Sequence, residues 1–171
     1  MQAAVAEVLR QLGLVVPLIV ASALAAVLGM QRHERGRPAG MRTHIMVSLA
    51  SCGFTLAGSY GFLDWHEARV PDRVAAQVVT GVGFLAAGVI FKSDVSVQGL
   101  TTAATLWAAA AIGMLVAANL YVVAAGVTAI GYATLAHLRE RSSIVGSTLV
   151  AAPPRDTQDW DASEKDAPGG P

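Results

Sequence analysis

The sequence predicts an all-α, polytopic membrane protein, a bundle of about five transmembrane helices with a short, disordered cytoplasmic tail. Hydrophobic residues make up 54% of the chain and charged residues only 14%, against roughly 25% charged in an average soluble domain. Four segments, 11–30, 43–63, 74–91 and 100–137, contain no Asp, Glu, Lys or Arg. Soluble helices carry charges along one face, so lipid is the predicted solvent of these segments.

The lengths of the four segments set the number of spans. One crossing takes ~20 residues at a rise of ~1.5 Å per residue, so the first three segments are one crossing each. The fourth is about twice as long and must fold back on itself at a tight turn near Ala118 and Asn119. The predicted spans are 12–30, 44–63, 74–91, 101–116 and 121–138.

These spans define two regions, a transmembrane domain over residues 1–141 and a polar tail over residues 142–171. The tail is rich in Pro, Gly and acidic residues. Such a segment cannot bury enough apolar surface to offset its chain entropy. It is therefore predicted to be disordered.

The basic residues near the span ends predict the orientation. Five spans place seven of them on one side of the membrane: Arg32, Arg35, Arg37, Arg42, Lys92, Arg139 and Arg141. The other side has three: Arg10, Arg69 and Arg73. Basic residues concentrate in cytoplasmic loops, so the C-terminus is predicted to lie in the cytoplasm of a bacterial cell and the N-terminus outside the inner membrane.

The first loop, residues 31–44, is a compact basic elbow between two spans. Its arginines fit two interpretations that both stay open here. They hold the loop inside and bind anionic headgroups at ~1 kcal/mol each, or they form a site for an anion or a partner protein, with Glu34 ordering the guanidinium groups.

The second span carries a polar face. His44, Ser48, Cys52, Thr55 and Ser59 follow one another in steps of three and four residues, which places them on one side of a helix. In hydrocarbon this face should turn toward other helices, where hydroxyl groups bond across the interface at ~0.6–2 kcal/mol. Lining a hydrated cavity is the alternative.

The third and fourth spans each offer a further candidate surface. Gln77, Gly81 and Gly88 share one face of the third span with Phe84, and glycines on such a face let another helix approach closely. Gln77 lies near the outer end of its span, far from the elbow, so a separate buried interface is predicted for it. The fourth span opens with Thr101 as its predicted N-cap.

Three stretches in register resemble the MgtC/SapB family of bacterial inner-membrane proteins. They are Arg32 with Ala39-Gly40-Met41-Arg42-Thr43-His44, the glycine-containing stretch 77–90, and Gly99-Leu100-Thr101-Thr102-Ala103-Ala104-Thr105-Leu106-Trp107. The resemblance covers about residues 12–138. It implies a role in adaptation to magnesium limitation, virulence in pathogenic members, and modulation of other membrane proteins, including the ATP synthase.

The chain departs from the family pattern at two places. Gln31 stands where the family usually has Glu, which removes a carboxylate from the elbow. Many family members also carry a cytoplasmic ACT-like domain after the last span, and the polar residues that follow Leu138 are predicted to be too few to form one.

The sequence therefore predicts a non-enzymatic membrane protein without a cofactor, a metal cluster or a nucleic-acid partner. Two functions stay open, contact with and modulation of a membrane-protein partner, and transport of magnesium or another ion. Small-residue faces fit intramolecular packing and a homo-oligomer equally well. The candidate functional surface comprises Arg32, Glu34, Arg42, Thr43, His44, Gln77, Gly81, Gly83, Gly88, Thr101, Thr102 and Thr105.

Overall fold

A computed structural model describes residues 1–34, 39–61, 71–92 and 97–137 of the chain. Residues Met1–Ala136 form one compact unit. The described residues form helices α1 (Gln2–Gly13), α2 (Val15–Glu34), α3 (Met41–Leu56), α4 (Pro71–Ala87), α5 (Leu100–Ala117) and α6 (Tyr121–His137), and strands β1 (Phe91–Lys92) and β2 (Val97–Gln98). The predicted all-α bundle is confirmed. The predicted tail, 142–171, lies outside the described residues.

The first predicted span is longer than expected at its N-terminal end. Only the turn residue Leu14 separates α1 from α2, and Ala4–Arg32 is a nearly continuous apolar helix, long enough to cross a membrane. Of the other helices that the structure describes, α5 passes the same test of length and composition, and the apolar α6 is slightly shorter. Helix α3 continues through a π-helical segment, Ala57–Gly61.

Helix α3 occupies the centre of the bundle, packed against α2, α4 and α5. Glycines allow its two closest contacts. A Cβ atom on Gly29 of α2 would lie 2.5 Å from the Cα atom of Met41, and one on Gly113 of α5 would lie 2.2 Å from the backbone oxygen of Ser48. Backbone approaches of this kind are typical of small-residue helix interfaces in membranes.

The glycines of the third span differ from Gly29 and Gly113 in their surroundings. The face of Gly81 and Gly88 in the third span was expected to receive another helix. Within the described chain, nothing lies within 4 Å of a Cβ atom placed on Gly81 or Gly83, and Gly88 meets only backbone oxygens of its own chain segment. In the described chain this face therefore borders open space, and its contact with another helix stays a prediction.

A short antiparallel hairpin joins α4 to α5. Helix α4 ends at Ala87, before the predicted limit of the third span at residue 91, and Phe91 instead pairs with Gln98. Gly99 then begins α5 with φ +89°, and a Cβ atom there would lie 1.9 Å from the oxygen of Val89. Gly99 is thus the N-cap, and the predicted cap, Thr101, lies inside the helix.

Helices α5 and α6 are joined by the tight turn that the sequence predicts. Asn119 adopts φ +62°, and the amide of Leu120 donates to the oxygen of Leu115 at 2.9 Å. This is the Schellman pattern, in which a left-handed residue ends a helix and satisfies its last carbonyl groups. Helix α6 returns along the bundle edge and buries Ala124 and Thr128.

Candidate functional site

A buried arginine joins two helices at the end of the bundle where the basic elbow begins. Arg32, in the last turn of α2, is only 7% exposed, and Thr102, in the first turn of α5, is 2% exposed. The Nη2 group of Arg32 donates a hydrogen bond to the hydroxyl oxygen of Thr102. Hydrogen bonds to charged groups contribute more than neutral ones, so this contact fixes the end of α2 to the start of α5.

His44, in the first turn of α3, completes this polar layer. Its side chain is fully buried, and its Nδ1 atom lies 2.9 Å from the backbone oxygen of Gly40. Because a carbonyl oxygen only accepts, Nδ1 carries the proton and Nε2 presents a lone pair in the neutral ring. The close approach of Gly29 to the Cβ atom of His44 holds the end of α2 against this turn.

Two buried acceptors in this layer lack a hydrogen-bond partner among the described residues. They are Nε2 of His44 and Oε1 of Gln31, a side chain that is 5% exposed. Buried polar atoms are nearly always hydrogen-bonded, either to protein or to ordered water. Both atoms therefore require donors, which a bound water or a ligand N–H or O–H group would supply.

The predicted site residues divide into two sets by burial. The buried set is Arg32, His44, Thr102 and Thr105. The remaining described residues are exposed or, at Gly83, half-buried: Arg42, Thr43, Gln77, Gly81, Gly83, Gly88 and Thr101. Glu34 is the last residue of α2, and its side chain is outside the described part of the structure. Arg35 and Arg37 lie outside the described residues altogether.

The polar face predicted for the second span is confirmed for four of its five residues, and the fifth, Ser59, is half-buried. His44, Ser48, Cys52 and Thr55 are all buried, together with Ser51. The hydroxyl of Ser48 donates to a backbone oxygen of α2, that of Ala21, at 3.1 Å. This bond crosses the interface between α3 and α2, as expected if the polar face turns toward other helices.

Gln77 and Gly81 lie away from the elbow layer. They border an open groove of about 480 Å³ between α3 and α4. The separation from the elbow agrees with the sequence prediction. Burial does not, because Gln77 is exposed in the described chain.

Gln31 was not among the predicted site residues, although the structure places it in the buried layer. Helical spacing could have predicted the burial of Gln31. Gln31 and Arg32 follow Leu28 by three and four residues, which puts them on the same face, and Leu28 is fully buried.

The chain matches the model of the MgtC family over residues 18–144. The chain belongs to the MgtC family. A protein of Escherichia coli strain K12, named "Putative magnesium transporter YhiD", is 43% identical over 111 residues, covering 63% of this chain and 52% of its own length. Protein MgtC of Brucella abortus strain 2308 is 44% identical over 116 residues, 68% of this chain and 47% of its own. Protein MgtC of Salmonella choleraesuis is 38% identical over 135 residues, 79% and 56% of the two chains.

The chain spans about half the length of these relatives. No solved structure matches it. Family membership, with the apolar helices, identifies this MgtC-family chain as a membrane protein. The names of the three relatives are a transporter name and the family name, and not the names of enzymes.

Proposed function

We propose that this MgtC-family chain acts without catalysis, by contacting and modulating other membrane proteins during adaptation to magnesium limitation. The observation that carries the proposal is the contrast at the inner end of the bundle. Arg32, Thr102 and His44 are buried and tied to their neighbours, whereas Arg42 and Thr43, on the turn that bears His44, are exposed. The packed base thus presents an exposed arginine, and such a charge can give specificity to a contact with a protein surface of complementary charge.

The proposal includes a location in the bacterial inner membrane as a multi-pass protein. Its support is the seven basic residues on one side of the predicted spans against three on the other. With the elbow in the cytoplasm, the N-terminus faces outward and Arg42 faces a cytoplasmic partner or a cytoplasmic surface of a membrane partner.

Photocrosslinking from the exposed turn tests the contact. A photoreactive amino acid at Thr43, with the same probe at the highly exposed Val122 of α6 as the control, is compared in magnesium-replete and magnesium-starved cells. We expect a protein adduct from position 43 that is stronger under starvation. Adducts from position 43 that contain only lipid, or that match those from position 122, would refute the proposal.

Substitution of the exposed arginine tests the same contact independently. Arg42→Ala should leave accumulation in the membrane unchanged, because the side chain is exposed, and should abolish both the adduct and growth at low magnesium. Arg10→Ala is the matched control, since Arg10 is an exposed arginine that forms an ion pair with Glu7 at 2.8 Å. Equal growth of the two variants would contradict the role of Arg42.

Transport of magnesium or another ion is the second candidate, and the name of the Escherichia coli relative favours it. Magnesium prefers near-octahedral oxygen ligands and is usually bound through one or two carboxylates, and ion coupling normally uses an ionisable residue within a span. Segments 11–30, 43–63, 74–91 and 100–137 contain no Asp or Glu, which ranks this candidate lower. Saturable, selective magnesium flux into liposomes containing the purified protein would reverse the ranking.

A further inference from the structure

The groove between α3 and α4 has an almost entirely apolar lining and is bordered by two polar side chains at the start of α4. Val78 and Val82, both buried, form its floor. Phe54 of α3 and Leu85 of α4 border it and are more than half exposed. Its volume of about 480 Å³ is within the range of about 300–1,000 Å³ that is typical of small-molecule sites.

The two strongly polar side chains of the groove both belong to the start of α4. Arg73 lies in the first turn of this helix, and Gln77 lies one turn further in. Four residues separate them, which is about 6 Å along the helix axis at a rise of ~1.5 Å per residue. Arg73 immediately precedes the charge-free segment 74–91, so its guanidinium group is at the level of the lipid headgroups and Gln77 is at the level just beneath them.

An exposed amide at that depth needs a polar partner, since hydrocarbon supplies none. The acidic neighbour of Arg73, Asp72, is exposed and does not line the groove. The groove is therefore an apolar channel that is bordered at one end by a cation and, one helical turn further in, by an amide. This sequence of chemistries matches the phosphate, the glycerol esters and an acyl chain of a phospholipid.

We propose that the groove between α3 and α4 is a binding site for an anionic phospholipid of the surrounding bilayer. The Arg73 guanidinium group donates to the headgroup phosphate, and the Gln77 amide donates to a glycerol ester carbonyl. One acyl chain lies over Val78 and Val82, between Phe54 and Leu85. The polar end of the site lies at the start of α4, whereas Arg42 lies at the start of α3. The lipid site does not depend on the function proposed above.

Gly81 makes the channel accessible and supplies the sharpest test. Nothing in the described chain lies within 4 Å of a Cβ atom on Gly81 or on Gly83, so both positions accept a larger side chain without a clash inside the protein. Only Gly81 lines the groove. Gly81→Leu therefore fills the channel, and Gly83→Leu is its matched control.

Native mass spectrometry of the purified protein, released from nanodiscs of phosphatidylglycerol and phosphatidylethanolamine, measures the lipid retained. We expect the wild type and Gly83→Leu to retain one phosphatidylglycerol. Gly81→Leu should lose it. Arg73→Gln should retain it about fivefold more weakly, which corresponds to the contribution of one basic residue near an anionic lipid surface, while Arg42→Gln should not change retention.

The outcomes separate the lipid from other occupants. Equal retention by all variants, or no preference for phosphatidylglycerol, would overturn the proposal. A dimer mass that Gly81→Leu converts to monomer would show that a second copy of the chain fills the groove and would also overturn it. Thermal unfolding of each variant in detergent verifies that the change in retention does not come from loss of fold.

Discussion

The contact between α3 and α5 predicts a large effect for a very small substitution, Gly113→Ala. The added Cβ atom would lie 2.2 Å from the backbone oxygen of Ser48 and 3.0 Å from the backbone nitrogen of Cys52. Neither neighbour is a flexible side chain, so the helices must separate, by about 1 Å if the contact is to reach the separations that packed carbon and oxygen atoms adopt.

The expected loss in the free energy of unfolding can be estimated from the side chains beside Gly113. Ile112 and Val116 are fully buried in the same interface. A large buried aliphatic side chain makes ~40–60 contacts of ~0.1–0.2 kcal/mol, and a gap of ~0.5–1 Å removes about a quarter to a half of each affected contact. Since only the contacts toward α3 are affected, we expect a loss of about 2 kcal/mol in the free energy of unfolding, within the ~1–3 kcal/mol typical of overpacked cores.

The assay compares Gly113→Ala with Gly126→Ala in the same detergent. Gly126 lies within α6, and nothing is within 4 Å of a Cβ atom placed on it. Ala should therefore stabilise α6 by about 0.5–1 kcal/mol through its helix propensity. Thermal or denaturant unfolding should move in opposite directions for the two variants. A shift of the same sign and size in both would refute the inference that α3 and α5 are in backbone contact.

Three further contacts are tested by the same unfolding measurement, each with a control substitution. Thr102→Val should cost about 1.5–3 kcal/mol, because a buried guanidinium group loses an acceptor, while Thr102→Ser should preserve the bond and cost about 1 kcal/mol for the lost methyl group. Gly99→Ala should cost at least about 1–2 kcal/mol through its left-handed backbone alone, whereas Leu100→Ala, at an exposed position, should change little. Ser48→Ala should cost about 0.6–2 kcal/mol, and Thr80→Ala, whose exposed hydroxyl bonds within its own helix at 3.0 Å, should be nearly neutral.

The parts of the structure that could be predicted are those that lipid dictates. Charge-free segments of one or two crossings required helices, because a backbone in hydrocarbon must satisfy its own hydrogen bonds. The same solvent required the polar side chains of α3 to face inward, and His44, Ser48 and Thr55 do so. These inferences needed only spacing along one helix.

The parts that could not be predicted depend on which helices cross and where. Gly29, Gly81 and Gly113 all lie in apolar segments, and spacing along one helix does not show which helix each of them contacts. The structure places Gly29 and Gly113 where α3 approaches. Arg32 was counted among the topogenic charges of the elbow, because a basic residue at a span end usually reaches water. Its burial depends on the position of Thr102, 70 residues later, which no local pattern gives.

The helices are tightly packed around Arg32, whereas an open groove separates α3 from α4. This difference in packing separates the two proposals. At the end of the bundle that contains Arg32, the contact of Arg32 with Thr102 and the backbone approach at Gly29 hold α2, α3 and α5 together, so an exposed side chain there can be changed without loosening the fold. Between α3 and α4, the groove that Gly81 borders is open, so its occupant adds contacts that the chain does not supply itself. Because a ligand that binds only the folded state stabilises it, removing the lipid should lower the unfolding temperature of the wild type and leave that of Gly81→Leu unchanged.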